Sequence, residues 1–292
     1  MLTVPELARV SLKRILFPTD FSPASSAALP FALELARVYG STLLMTHVIA
    51  SGPHRQGTGD APPAPDDRAW QDARHKLEEF AGDERVAGIP CEILLDGGDL
   101  ADVIPEIIRG QAADLVVLGT HGRRGVSKLV LGSGAEKIYR SASCPVLTVG
   151  PKVRTGEWSL RRILCPVDMV EDTQPYLQYA LSLAEENQAD FIVMQAVPMV
   201  PWQHRATVEV QMRERLERLL PRPAADGPQP HFLVRWEHPA EAVLLAAAEW
   251  DADLIVMGVR RARAARFSVH LPWPVASEVV SRAPCPVLTV RV

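Results

Sequence analysis

An α/β fold built twice over, each copy a parallel sheet flanked by helices, is what this sequence predicts, and three observations carry the prediction. Short apolar runs alternate with stretches of helical periodicity, the pattern of β-α-β units. At 292 residues and 47% hydrophobic content, the chain is long enough for two domains of about 150 residues, each with its own core. The two halves also repeat each other. Arg14-Ile15-Leu16-Phe17-Pro18-Thr19-Asp20 returns as Arg162-Ile163-Leu164-Cys165-Pro166-Val167-Asp168. Ala113 to Gly119 returns in kind as Ala252 to Gly258, and Cys144 to Val149 returns letter for letter as Cys285 to Val290. A unit this long marks a tandem duplication rather than a solenoid.

In the first half, strands are expected at 13 to 18, 42 to 49, 91 to 95, 114 to 119 and 144 to 149. The first helix has Ser22 as its cap and Pro23 at its first position, where a missing N–H costs nothing, and a core stripe of Ala28, Phe31, Leu35 and Val38. Residues 51 to 67, rich in Gly, Pro and Ala, read as a surface loop. Trp70, Ala73, Leu77 and Phe80 share one face of a second helix. A third, capped by Asp99, presents Leu100, Val103, Ile104, Ile107 and Ile108, and Pro105 inside it should kink it.

Domain boundaries follow at 1–150, a polar linker at 151–159, and 160–292. The second half repeats the order, with its first helix at 173 to 187. In its second helix Val208, Met212, Leu216 and Leu219 form an apolar stripe that reads as core rather than partner groove. The run from Pro221 to Pro230 reads as loop.

A net charge of −4 gives no general attraction to nucleic acid or an anionic membrane, so neither is an expected partner. No segment reaches the roughly 18 continuous apolar residues of a membrane span, and Met1 to Arg14 lacks the apolar region of a leader. A cytoplasmic protein is expected. Cys91, Cys144, Cys165 and Cys285 stand apart with no zinc-like spacing and read as buried, reduced thiols.

The chemistry concentrates in Gly119 to Ser133, Gly-Thr-His-Gly-Arg-Arg-Gly-Val-Ser-Lys-Leu-Val-Leu-Gly-Ser, between the fourth strand and a helix. Glycines there let backbone amides approach an anion, and the amides opening the next helix are unpaired donors. Gly122 to Lys128 nearly spells a Walker A loop, but Ser127 takes the place of its second glycine, and no G-x-G-x-x-G follows any strand. The spacing G-x2-G-x9-G-S, complete here, resembles the ATP-binding signature of the universal stress protein family. Ile15 to Ser22 and Cys144 to Val149 resemble that family's first and last strands, and with the repeat the likeness covers nearly the whole chain.

The resemblance implies two domains of the adenine-nucleotide alpha-hydrolase-like fold, each a five-stranded parallel sheet in the order 3-2-1-4-5. The ends of strands one and four then form the crevice at the switch point of the sheet. It further implies that Pro18, Thr19, Asp20 and Val48 line the adenine and ribose end. Gly119, His121, Gly122, Arg123, Gly132, Ser133 and Gly134 would hold ribose and phosphates. Gly134 stands where the family usually has a small branched apolar residue. Asp20 can accept from an amine or hydroxyl, or serve as a turn residue before the helix. His121, Arg123, Arg124 and Lys128 can meet phosphates or form a solvated loop.

In the second half Pro166 and Asp168 persist, but the stretch after Gly258 has lost its glycines and Trp273-Pro274 replaces Gly132-Ser133, so this half is expected to have lost the site. Its arginines 260, 261, 263 and 266 can grip an anion or an acidic partner, or be solvated. The expected ligand is ATP, with ADP or AMP as alternatives, with or without Mg²⁺; metal ligands are unknown. No base, nucleophile or metal cluster stands at a known spacing, so binding without turnover is expected. The implied role is nucleotide-dependent stress signalling or protection. The alternatives are a slow ATP hydrolase or phosphotransferase using Asp20, and a nucleotide-free scaffold. Pairing of the two last strands within the chain would remove exposed edges, and further homodimerisation is left open.

Overall fold

A computed structural model describes residues 10–49, 67–120, 133–154, 156–168, 173–220, 228–259 and 273–291. Nearly all of the loop expected at 51–67 lies outside them, as does most of the one at 221–230. Asp67 itself opens a helix. Val10 apart, the described chain forms two compact units, within residues 11–147 and 148–292.

The first unit runs β1 (Arg14–Pro18), α1 (Pro23–Tyr39), β2 (Thr42–Ile49), α2 (Asp67–Ala81), β3 (Cys91–Gly97), α3 (Leu100–Gly110), β4 (Leu115–Gly119), α4 (Ser133–Ser141) and β5 (Val146–Val149), with the unit boundary falling within β5. Its strands lie in the order β3-β2-β1-β4-β5. The pairs of β1 with β2, β1 with β4 and β2 with β3 are parallel, Leu16 facing Leu44 on one side and Val116 on the other. The central strand is buried on both faces: Ile15, Leu16 and Phe17 are fully covered. That explains an unbroken apolar run where an alternating one would mark a half-exposed strand.

Local chemistry sets the helix ends. Ser22 accepts a hydrogen bond from the Ser25 amide at 3.2 Å, Pro23 follows, and Gly40 closes α1 at φ 63°. Asp99 caps α3 by accepting from the Ala101 amide at 2.8 Å. Pro105 lies inside α3 as expected, and Pro30 inside α1. Both helices run on through them, held by apolar faces that include Leu29, Phe31 and Leu33 in one and Val103, Ile104 and Ile108 in the other.

The second unit comprises β6 (Arg162–Pro166), α5 (Gln174–Asn187), β7 (Asp190–Ala196), α6 (Arg205–Leu219), β8 (His231–Arg235), α7 (Pro239–Glu249), β9 (Leu254–Val259), α8 (Trp273–Arg282) and β10 (Val287–Arg291). Its order, β8-β7-β6-β9-β10, repeats that of the first unit, again with parallel pairs. At the amino ends the two units share one device. The Asp114 carboxylate accepts from the Lys13 and Arg14 amides at 2.7 and 2.9 Å, and Asp253 accepts from those of Arg161 and Arg162 at 3.1 and 2.9 Å. These bonds satisfy amides entering the central strand and tie it to its neighbour.

Some expectations are corrected. Val38 is 55% exposed, because it falls in the last turn of α1, while Ala28, Phe31 and Leu35 are buried. Cys165 and Cys285 are buried, but Cys91 and Cys144 are only half-buried, at or just before the amino ends of β3 and β5; all four are free thiols. The α6 stripe faces inward, with Leu216 fully covered and Val208, Met212 and Leu219 half-buried. The segment before β6 is anchored: the Trp158 indole donates to the Asp253 carbonyl at 2.9 Å, and Arg154 pairs with Asp251 at 3.1 Å.

Candidate functional site

In the first unit the chain leaves β1 toward β2 on one side and returns to β4 on the other. The carboxyl ends of β1 and β4 therefore flank the point where strand order reverses, the usual place for a ligand crevice in such sheets. Pro18 ends β1 and Thr19 follows it, both buried. The Thr19 amide donates to the Thr46 carbonyl at 2.8 Å, extending the pairing with β2 by one step. The Thr19 hydroxyl lies 3.0 Å from that of Ser25 and accepts from the Phe21 amide at 3.0 Å, fastening the turn to the start of α1.

Asp20 is exposed, and its Oδ1 accepts from the Ser22 amide at 3.0 Å. The turn role and the exposed carboxylate thus coexist, since one oxygen closes an Asx turn. Phe21 holds φ at 59°, costly for a residue with a Cβ. Its ring is gripped by His47 at 4.7 Å between centroids and by Phe80 at 5.8 Å, with the Lys76 ammonium 5.5 Å away. His47 Nδ1 donates to the Thr19 carbonyl at 2.7 Å, which fixes the proton on that nitrogen. Sequence reasoning missed both Phe21 and His47. His47 sits next to Val48 at the end of β2, and that adjacency was the available signal. Val48 itself is half-buried, in register with Asp96 of β3.

Gly119 ends β4 where no side chain fits. A Cβ there would stand 2.0 Å from the Ala24 carbonyl oxygen of α1. Gly134, second in α4, faces Leu100 Cδ1, which its Cβ would meet at 3.3 Å. Lys137 of α4 bonds Asp99 at 2.5 Å, joining α3 to α4 near this end; that bond and the Ala101 amide hold the Asp99 carboxyl below the usual carboxylate range. Pro18, Thr19, Asp20, Val48 and Gly119 thus gather around the strand ends. His121, Gly122, Arg123 and Gly132 lie outside the described residues, and Ser133 is described as the first residue of α4. Among the described residues no group of three or more His, Cys, Asp or Glu could hold a metal ion, and no helix is long and apolar enough to cross a membrane.

Two α/β units, each with parallel strands whose order reverses beside its first strand, define the class. The universal stress protein family model matches residues 11–150 and again 159–291, and the chain belongs to that family. It is 31% identical over 141 residues to a universal stress protein of Methanocaldococcus jannaschii, covering 47% of this chain and 81% of that protein. It is 33% identical over 138 residues to one from Thermus aquaticus, covering 47% of this chain and 98% of that protein. The fold is shared along nearly the whole length with a universal stress protein from Archaeoglobus fulgidus, at TM-score 0.67 and 22% identity, covering 95% of this chain and 98% of that one.

Proposed function

We propose that the first unit binds an adenine nucleotide at the carboxyl ends of β1 and β4, and that the protein acts in stress response through nucleotide-dependent signalling or protection. The observation that carries this reading is the meeting of Asp20 and Gly119 at one sheet end, with the complete G-x2-G-x9-G-S stretch leading from Gly119 to the start of α4. The residues suit the ligand. Asp20 offers an exposed acceptor to an amine or ribose hydroxyl, Val48 a half-buried apolar wall, and Gly119 a strand end on which the amino end of α1 lies directly. Donors for the phosphates would come from the amides of the glycine stretch and the opening of α4, with Arg123 and His121 as candidate charges. ATP is the ligand of first choice; ADP and AMP fit the same chemistry, and Mg²⁺ would accompany a triphosphate. We read the site as binding rather than turning over its ligand, in the cytoplasm.

The domain boundary near residue 150 and the silence of the second glycine stretch belong to the same proposal. So does pairing of β5 with β10 within one chain, which edge-strand chemistry favours. The test is the nucleotide content of the purified protein, released by denaturation, beside a Gly122→Val/Gly132→Val variant. Near one adenine nucleotide per chain, lost in the variant, is expected. A protein that arrives empty and ignores added ATP sinks the reading, and phosphate release abolished by Asp20→Ala would move it to a hydrolase.

A further inference from the structure

The second crevice differs from the first in more than its glycines. Tyr176, in the first turn of α5, is 5% exposed, and its ring lies against the end of β9. A Cβ on Gly258 would stand 2.3 Å from Tyr176 Cδ1 and 2.4 Å from Cε1. At its other end the Tyr176 hydroxyl accepts from the Asp168 amide, just past β6, at 3.3 Å, and also bonds the Thr173 side chain. Thr173 in turn donates to the Asp168 carbonyl at 2.6 Å. One side chain therefore bridges the ends of the two strands that flank the switch point.

Among its described residues the first unit has nothing comparable. Tyr176 stands ten residues after Pro166 and twelve before the α5 cap Gln188, and the residue in that place in α1 is Ala28, ten after Pro18 and twelve before Gly40. Ala28 is fully buried, and its methyl cannot reach across the strand ends. There the backbone of α1 at Ala24 lies on Gly119 directly, whereas in the second unit an aromatic ring is interposed between α5 and Gly258. Burial raises the Tyr176 phenol well above its ordinary value.

We propose that Tyr176 is a built-in stopper that closes the second crevice to a nucleoside, independently of the missing glycines. The inference rests on reading the matching crevice of the first unit as a nucleoside site. It makes the second unit a crevice occupied from within.

The test is calorimetric titration of full-length wild type, Tyr176→Ala, Tyr176→Leu and Tyr176→Phe with adenosine, which needs no phosphate-binding loop. Each variant's cooperative melting is checked first. Tyr176→Leu keeps apolar volume but falls short of the Asp168 amide, and it serves if Tyr176→Ala does not fold. The expected result is a rise of one adenosine per chain over wild type in the Ala or Leu variant, and none in Tyr176→Phe, whose ring still fills the crevice. A folded Ala or Leu variant with no added binding overturns the proposal, and a gain in Tyr176→Phe overturns its assignment to the ring. The wild-type stoichiometry alone judges the first crevice, so the two readings fail separately.

Discussion

Replacing Gly119 by Ala strikes the point where strand, helix and candidate ligand meet. The new Cβ would lie 2.0 Å from the Ala24 oxygen, 2.6 Å from the Ala24 carbonyl carbon and 3.1 Å from the Ser25 nitrogen, all backbone atoms. An ordinary carbon–oxygen contact is about 3.3 Å or more, so α1 must retreat by roughly 1.3 Å at this point. It cannot do so freely, because the Thr19–Ser25 and Ser22–Ser25 bonds tether its first turn to the end of β1. Overpacking a rigid contact costs about 1–3 kcal/mol, and a backbone clash against a tethered helix belongs at the top of that range. For a unit of this size about 3 kcal/mol lowers the melting temperature by roughly 6–12 °C. Thermal unfolding followed by circular dichroism reads the stability, and ATP titration reads the site, which is expected to weaken as the amino end of α1 moves. Gly134→Ala is the control: its Cβ meets only Leu100 Cδ1, at 3.3 Å, a side-chain tip that can turn aside, so its melting should shift by less than about a third as much. A Gly119→Ala protein that melts with wild type and binds ATP normally would refute the reasoning.

Thr19→Val removes a buried hydroxyl that holds the Phe21 amide and the Ser25 side chain, and should cost about 1–3 kcal/mol in urea unfolding while the turn persists, since Val167 occupies that place in the second unit. Asp114→Ala leaves the Lys13 and Arg14 amides without their shared acceptor and should cost about 1.5–3 kcal/mol in the same assay, with nucleotide binding at the opposite sheet end unchanged. Burial pushes the Cys285 thiol up to about 12 and raises Cys165 and Tyr176 as well. An unfolded thiol ionises near about pH 8.5 and a phenol near about 10. The unfolded chain therefore releases protons that the fold retains, and stability should fall from about pH 9 upward. Urea midpoints across that range check the sign, and Cys285→Ala should flatten part of the slope.

The strands were legible because β1, β4, β6 and β9 are continuous apolar runs and because each returns in a second copy; their order within each unit was implied by the family resemblance rather than by the residues themselves. The Ser22 and Asp99 caps were legible because a cap is a local event within three residues. What escaped was tertiary. Phe21 looks like any aromatic after a turn, and only its left-handed backbone beneath His47 and Phe80 shows how it is held. Tyr176 looks like one more apolar member of a helix stripe, and its bridging role depends on Gly258, distant in sequence. Val38 extends the α1 periodicity by one step, but the helix ends there and its side chain meets solvent. Of the candidate site, Asp20, Val48 and Gly119 could be named from the sequence, and the dual part played by Asp20 needed the Ser22 contact.

The carboxylates of Asp114 and Asp253 sit at the amino ends of the sheets, away from either crevice, and do the same work in both units although the carboxyl ends have diverged. Each sheet thus separates its duties by pole: one end fastens the strands, and the other is left to vary. A designer can rebuild the variable pole, exchanging its turns or removing its tyrosine, while the fastened pole keeps the strands in register. The second unit is in that sense already a rebuilt copy of the first.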